Sequence, residues 1–302
     1  MKLLLSAYAC EANIGSEPAV GLNWAVEIAK LGNQVIVLTR KNNEKNLEEF
    51  IFENNHLSEN IKFVYFDLVK PIQKLKTNKI IPIYLYYFLW QIGVFFKAKK
   101  LISTYKFDAV HHITFCTIRH FSLMWLLNIP FILGPIAGGD KSTFQLRWAN
   151  GLKGGLTETI RDFINKLSYF DPFFRLSIRY AQEIAVNSRE TLKFIPAKYK
   201  YKTKIINQIG VNIKPIKFAK VQNKKKLLFV GKFYYWKGMD LAIKAFYKSY
   251  IKDKNLTLTF IGNGKEENKI KHLALRYGVD KKINWINWID QKTLFDIYSE
   301  HG

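Results

Sequence analysis

At 302 residues, with 48% apolar and 24% charged side chains, the chain has the makeup of a folded protein large enough for two domains, which excludes a disordered or fibrous one. Cys10 and Cys116 stand far apart and without metal-ligand spacing, so a reducing compartment is expected, with neither a disulfide framework nor a metal site. An excess of 47 basic over 24 acidic residues gives a net charge of +23, which fits nucleic acid, an anionic membrane surface, or a drift of composition toward Lys, Asn and Ile. No zinc-finger spacing or RNP-type aromatic signature is present, so nucleic acid is set aside and the membrane surface is favoured.

The opening residues, MKLLLSAYAC, faintly imitate a signal peptide, but Glu11 and Glu17 follow at once. Lys2–Ala7 is therefore expected to be a first strand. A loop, CEANIGSEPAVG, leads to a helix whose apolar face is Ala19, Leu22, Ala25, Val26 and Ala29, ended by Gly32. Further strands are expected at Gln34–Thr39, Ile61–Phe66, Phe107–His111 and Ile129–Leu133, with helical segments between them. The alternation begins again at Lys226, with strands at Leu227–Val230, Leu256–Ile261 and Ile283–Trp285. Two Rossmann-like α/β domains follow, residues 1–210 and 211–302. Their boundary is expected between Asn207 and Asn223, where Pro215 sits among lysines and the periodicity lapses. Ligands of such sheets bind beyond the carboxyl ends of the strands, in the cleft between facing domains.

Ile80–Phe96 needs separate weighing: 17 residues carry no charge, between Lys79 and Lys97. The main expectation is a helix packed on the first sheet. An aromatic helix lying in the lipid headgroup layer comes next, and a membrane span last.

The stretch with the most chemistry is KLLFVGKFYYWKGMDLAIKAFYKSY, Lys226 to Tyr250. A short apolar strand ends at Gly231, and from Met239 onward Ala242, Ala245 and Phe246 recur at helical spacing. Strand, glycine turn and helix present backbone N–H groups and a positive helix end to an anion. Lys232 and Lys237 add two cations, so the loop is suited to phosphate; the alternative is an ordinary βα connection with solvated lysines.

Val230-Gly231-Lys232 followed by Lys237-Gly238-x-Asp240 resembles the G-R-x4-K-G-x-D turn of the group 1 retaining glycosyltransferases of the GT-B fold. Four more segments resemble that family in order: Glu11 to Trp24, Phe107 to Pro135 continuing into GPIAGGD, Ala185-Val186-Asn187-Ser188 to Ile209-Gly210-Val211-Asn212, and Gly262-Asn263-Gly264. The resemblance implies two Rossmann-like domains facing across a cleft. It implies an enzyme that moves a sugar with retention, and the cysteine usage and net charge add the expectation of a cytoplasmic protein, peripheral on the inner face of the membrane. The donor would be a nucleotide-diphospho-sugar and the acceptor lipid-linked or a polysaccharide, with no metal or other cofactor and no nucleic acid.

Site roles follow from the same resemblance. Lys232 and Lys237, with Gly15 and Ser16, would grip the donor diphosphate. Lys232 stands where arginine is usual, which keeps the charge but loses the bidentate fork. Gly231, Gly262 and Gly264 would lie along the nucleotide. Glu17, Gly138 and Gly139 belong to the acceptor side. His111 and Lys237 are the catalytic candidates: Lys237 for charge on the leaving group, His111 because Asp108 precedes it by three residues as in the family. His111 and His112 could equally be satisfied structural histidines. Arg119 and His120, expected to start the next helix, are weaker candidates.

Gly262-x-Gly264 alone could open a dinucleotide fingerprint, but Glu267 occupies the place of its third glycine, which weakens an oxidoreductase reading. The chain stops at YSEHG, where the family would enter the fourth strand of its second domain. The second domain is thus expected to be incomplete, lacking a Glu-x7-Glu pair that holds the donor. The competing expectation is accordingly an inactive fragment that acts at most as a membrane- or partner-binding protein.

Overall fold

The computed structural model describes residues 1–149, 151–210 and 225–301. Most of the expected boundary region, with Val211, Asn212 and Pro215, lies outside the described residues. The chain divides into two compact units, one of Met1–Ser142 with Glu158–Val211 and one of Thr143–Thr157 with Asn212–Gly302.

The strands of the first unit are β1 (Lys2–Ser6), β2 (Gln34–Arg40), β3 (Ile61–Phe66), β4 (Ala109–His112), β5 (Phe131–Ile136), β6 (Glu183–Val186) and β7 (Thr203–Ile205). They form one parallel sheet in the order β3-β2-β1-β4-β5-β6-β7. Helices α1 (Val20–Lys30), α2 (Glu44–Glu53), α3 (Lys70–Thr77) and α4 (Ile83–Thr104) come before β5. After it in the chain come α5 (Phe144–Ala149), which falls in the second unit, α6 (Gly151–Ser168), of which the part from Glu158 on falls in the first, and then α7 (Pro172–Tyr180) and α8 (Arg189–Leu192).

Successive strand residues face opposite sides, so each strand feeds two cores. Leu5, Val35 and Val37 pack with Val20, Leu22, Ala25 and Ala29 of α1. Leu4, Ile36, Leu38 and Val110 pack on the other side with Tyr86, Tyr87, Trp90, Val94 and Ala98 of α4. Most of the Ile80–Phe96 stretch is therefore helix α4, packed by one face on the sheet of the first unit while Ile83, Tyr84, Leu85, Phe88 and Phe96 stay exposed. Trp90 is fully buried, and its indole N–H donates to the Phe66 carbonyl at 3.1 Å. Among the described residues no helix is long and apolar enough to cross a membrane.

Three expectations for this unit are corrected. Strands β6 and β7 were absent from the sequence reading, being only four and three residues long and set among charged neighbours. Strand β4 begins at Ala109, because Asp108 is taken up in bonding the start of β1: its carboxylate accepts from the Lys2 N–H at 2.7 Å. Between β4 and β5 there is only a 3-10 turn, Met124–Leu127, so Arg119 and His120 sit in a turn and start no helix.

The second unit repeats the alternation with β8 (Lys226–Val230), α9 (Met239–Lys252), β9 (Thr257–Ile261), α10 (Glu267–Arg276), β10 (Ile283–Ile286) and α11 (Gln291–Glu300). Its strands are parallel in the order β10-β9-β8. Phe233, Met239, Ile243, Phe246, Leu258, Phe260 and Ile270 form a separate core.

Candidate functional site

At the carboxyl end of β8 the chain turns at Gly231, buries Phe233, makes a 3-10 turn over Tyr235–Lys237 and enters α9 through Gly238. Gly238 caps the helix with φ 74° and ψ 25°, a left-handed geometry that costs glycine little. A helix of 14 residues carries roughly half a positive charge at this end. Lys232 and Lys237 are both exposed, and among the described residues neither side chain has a salt bridge or hydrogen bond, their main chain alone bonding Tyr234. Asp240 in the first helical turn is drawn back along α9 by Lys244 at 3.2 Å. The turn therefore presents uncompensated positive charge to solvent.

The loop after β9 locks onto this turn through main chain. The Phe233 N–H donates to the Asn263 carbonyl at 2.8 Å, and the Glu266 N–H donates to the Phe233 carbonyl at 3.1 Å. A Cβ on Gly262 would lie 2.0 Å from the Gly231 carbonyl oxygen, so only glycine fits there. A Cβ on Gly264 would lie 2.5 Å from the Phe233 carbonyl oxygen. Beside Gly262 lies a cavity of about 220 Å³ walled by Phe233, Glu267, Lys271 and Trp285. Lys271 bonds Glu267 at 2.7 Å and stands 5.7 Å from the centre of the Trp285 ring. Five predicted residues, Gly231, Lys232, Lys237, Gly262 and Gly264, are thus brought together at one edge of the second sheet.

In the first unit the strand order reverses between β1 and β4, and the loops leaving those two strands meet. The Glu17 carboxylate accepts from the Phe115 N–H at 3.0 Å. Burial raises the Glu17 pKa, and this hydrogen bond opposes the rise. Asn13, Ser16 and Phe115 all have left-handed backbones, with φ of 59°, 64° and 57°. For an aromatic residue that is unusual, and such strain gathers at binding loops. No sequence signal marks Phe115. Gly15 is exposed and has open space around it.

His111 and His112 end β4. His111 is buried, and because a carbonyl can only accept, its Nε2 donates to the Gly134 oxygen at 2.7 Å and its Nδ1 is left as an acceptor. Burial lowers its pKa to about 4 despite that bond. His112 is held from both sides, by the Tyr87 hydroxyl at 2.8 Å and the Ser122 hydroxyl at 2.9 Å, and burial lowers its pKa to about 3. At neutral pH both rings are neutral hydrogen-bonding groups. His120 contacts the Phe115 carbonyl at 3.0 Å.

Gly138 and Gly139 follow β5. The Gly138 carbonyl accepts from the Asn165 amide at 2.9 Å, and the Gly139 N–H donates to the Thr191 hydroxyl at 3.2 Å. Gly139 touches the Thr191 backbone so closely that a Cβ would lie 2.5 Å from its Cα. Ser188 caps α8 by accepting from the Thr191 N–H, which explains the Asn-Ser pair at this point of the sequence. Among the described residues no cluster of His, Cys, Asp or Glu is arranged to hold a metal.

Comparison with known proteins agrees with this architecture. Residues 212–301 match the family described as glycosyl transferases group 1. An uncharacterized glycosyltransferase of Methanocaldococcus jannaschii is 34% identical over 131 residues, 38% of this chain and 33% of the relative. The chain thus spans about a third of the length of the curated relative it matches. The solved structure of TarM superposes with a TM-score of 0.64 at 9% identity, covering 99% of this chain and 78% of TarM. A lipopolysaccharide outer core galactosyltransferase, WaaB in its apo form, gives 0.53 at 13% identity, covering 97% and 70%. At these identities the structural likeness shows the fold. Residues 212–301 thus match the group 1 glycosyl transferases, and the chain as a whole shares the two-domain α/β fold of these solved transferase structures.

Proposed function

We propose that the protein transfers a sugar from a nucleotide-diphospho-sugar, with retention, to a lipid-linked or polysaccharide acceptor. The observation that carries this reading is the β8–α9 turn: two exposed, unpaired lysines beside a glycine-capped helix end, within a segment that matches a glycosyltransferase family. A diphosphate leaving group gathers negative charge as the bond to the sugar breaks. Lys237, Lys232 and the amide end of α9 stabilise that charge more than they stabilise the intact donor, which is the condition for catalysis. The TarM variant of S. aureus solved with fondaparinux, alpha-GlcNAc-glycerol and UDP has this fold at a TM-score of 0.58 and 10% identity, and supports a nucleotide diphosphate as the ligand class.

On this reading Gly231, Gly262 and Gly264 admit the nucleotide to the backbone, with Trp285 and Glu267 beside its base. Gly15, Ser16, Glu17 and the Gly138–Gly139 loop serve the first unit's side of the reaction. His111 acts through its neutral Nδ1 as an acceptor from a sugar hydroxyl, since a ring with so low a pKa carries no proton to donate there at neutral pH. The setting is peripheral, on the anionic inner face of the cytoplasmic membrane, to which the +23 charge is suited.

Titration calorimetry with UDP tests the assignment. Binding by the unaltered chain and a loss of about tenfold or more in Lys237→Ala are expected, the scale of one charge-assisted contact to phosphate. Unchanged affinity in that variant would place the diphosphate elsewhere.

A further inference from the structure

Beside Gly139 the first unit holds a second cavity, of about 460 Å³, within the size range of small-molecule sites. Lys141 from the loop after β5, Lys166 from the last turn of α6 and Lys193 just past α8 all line it. Glu190 is the one carboxylate among its lining residues, and Tyr169 and Phe170 supply aromatic wall. Among the described residues none of the three lysines has a salt bridge, and Glu190 pairs with none of them. A cavity of this volume is roughly 10 Å across, so lysines that line it can reach one ligand within about one Debye length. Three unpaired lysines from three separate elements line this one cavity, and an anion bound within it would lower their mutual repulsion.

We infer that this cavity binds a phosphate-bearing sugar or polyol: phosphate on Lys141, Lys166 and Lys193, hydroxyls on Glu190, and the apolar ring face against Tyr169 and Phe170. Lysine suits phosphate as a point charge, and an aromatic wall suits the C–H face of a pyranose. The inference rests on the glycosyltransferase reading only in taking the bound group as part of the acceptor. It names a class of acceptor, one with phosphate next to the accepting hydroxyl, and the β5–α8 contact at Gly139 fixes the two walls relative to each other.

The test is binding to the whole chain of glucose 1-phosphate, with methyl α-glucoside as the uncharged probe and phosphatidylglycerol vesicles as the lipid arm. Glucose 1-phosphate should bind about tenfold or more tightly than the glucoside. Combining Lys141→Ala, Lys166→Ala and Lys193→Ala should remove that preference, while the same three positions changed to Arg should keep it, which separates charge from folding. Combining Lys232→Ala with Lys237→Ala should leave the preference intact while weakening UDP, so failure of the donor site and failure of this cavity are read separately. Equal affinity for both sugars, no binding of either, or a preference lost only in the Lys232 and Lys237 variant would overturn the inference. Capture by the vesicles alone would also overturn it, by assigning the lysines to a lipid surface.

Discussion

Adjacent in sequence, His111 and His112 are both withdrawn from water, and their titration reaches the stability of the fold. In the unfolded chain each ring titrates near 6.5; in the folded one burial holds it neutral down to about 4 for His111 and about 3 for His112. Below 6.5 the unfolded chain therefore binds protons that the folded chain refuses. Stability is complete above that pH and falls as acid is added, by about 2 kcal/mol per histidine at about pH 5. Urea midpoints at about pH 7.5 and 5 should differ accordingly, and His112→Gln should flatten the difference; midpoints independent of pH would mean the rings are open to water. The sequence placed both residues at a strand end and singled out His111 only through the family resemblance. The division between them depends on Tyr87 and Ser122, far from them in the chain, and no local pattern records such partners.

At the scale of elements, the long periodic segments were legible and the short ones were not. Strand β3 coincides with its expected bounds, and α9 starts at the expected Met239. Strand β5 is shifted to Phe131–Ile136, past the Pro130 that interrupts its apolar run. Strands β6 and β7 owe their existence to neighbours in the sheet, which sequence periodicity does not report. The three cavity lysines were missed for a related reason, since they come from three elements that only the fold brings together.

The elements also widen the membrane argument. The aromatic stretch of α4 spends Tyr86, Tyr87 and Trp90 on the core but leaves Ile83, Tyr84, Leu85, Phe88 and Phe96 exposed, and Ile160, Phe163, Ile164 and Leu167 of α6 are exposed at helical spacing as well. With lysines worth about 1 kcal/mol each near an anionic surface, the α6 face is a second candidate for lipid contact beside α4. Sedimentation with phosphatidylglycerol vesicles should be strong at low salt, and Phe163→Ser with Leu167→Ser should reduce it severalfold. Undiminished binding in that variant would return the contact to α4 or to charge alone.

For the whole molecule, the two units have unequal means of staying folded. The first rests on a seven-stranded sheet with cores on both faces, the second on a three-stranded sheet with one core. Units that share neither a sheet nor a core unfold as separate cooperative steps. Calorimetric melting should accordingly show two transitions, the lower from the second unit. UDP at a hundredfold excess over its dissociation constant should add about 2.7 kcal/mol to that transition and leave the upper one in place. A single transition, or a shift confined to the upper one, would contradict the assignment of UDP to the second unit.

The contact between Gly262 and the Gly231 carbonyl has an evolutionary consequence. A frame held by main chain against main chain is indifferent to the side chains it displays, provided that its glycines persist. Drift can then exchange residues around it without dismantling the loop, and Lys232 in the place of an expected arginine is an exchange of this kind. A lineage whose composition slides toward lysine would retain the shape of the turn while its chemical preferences wander.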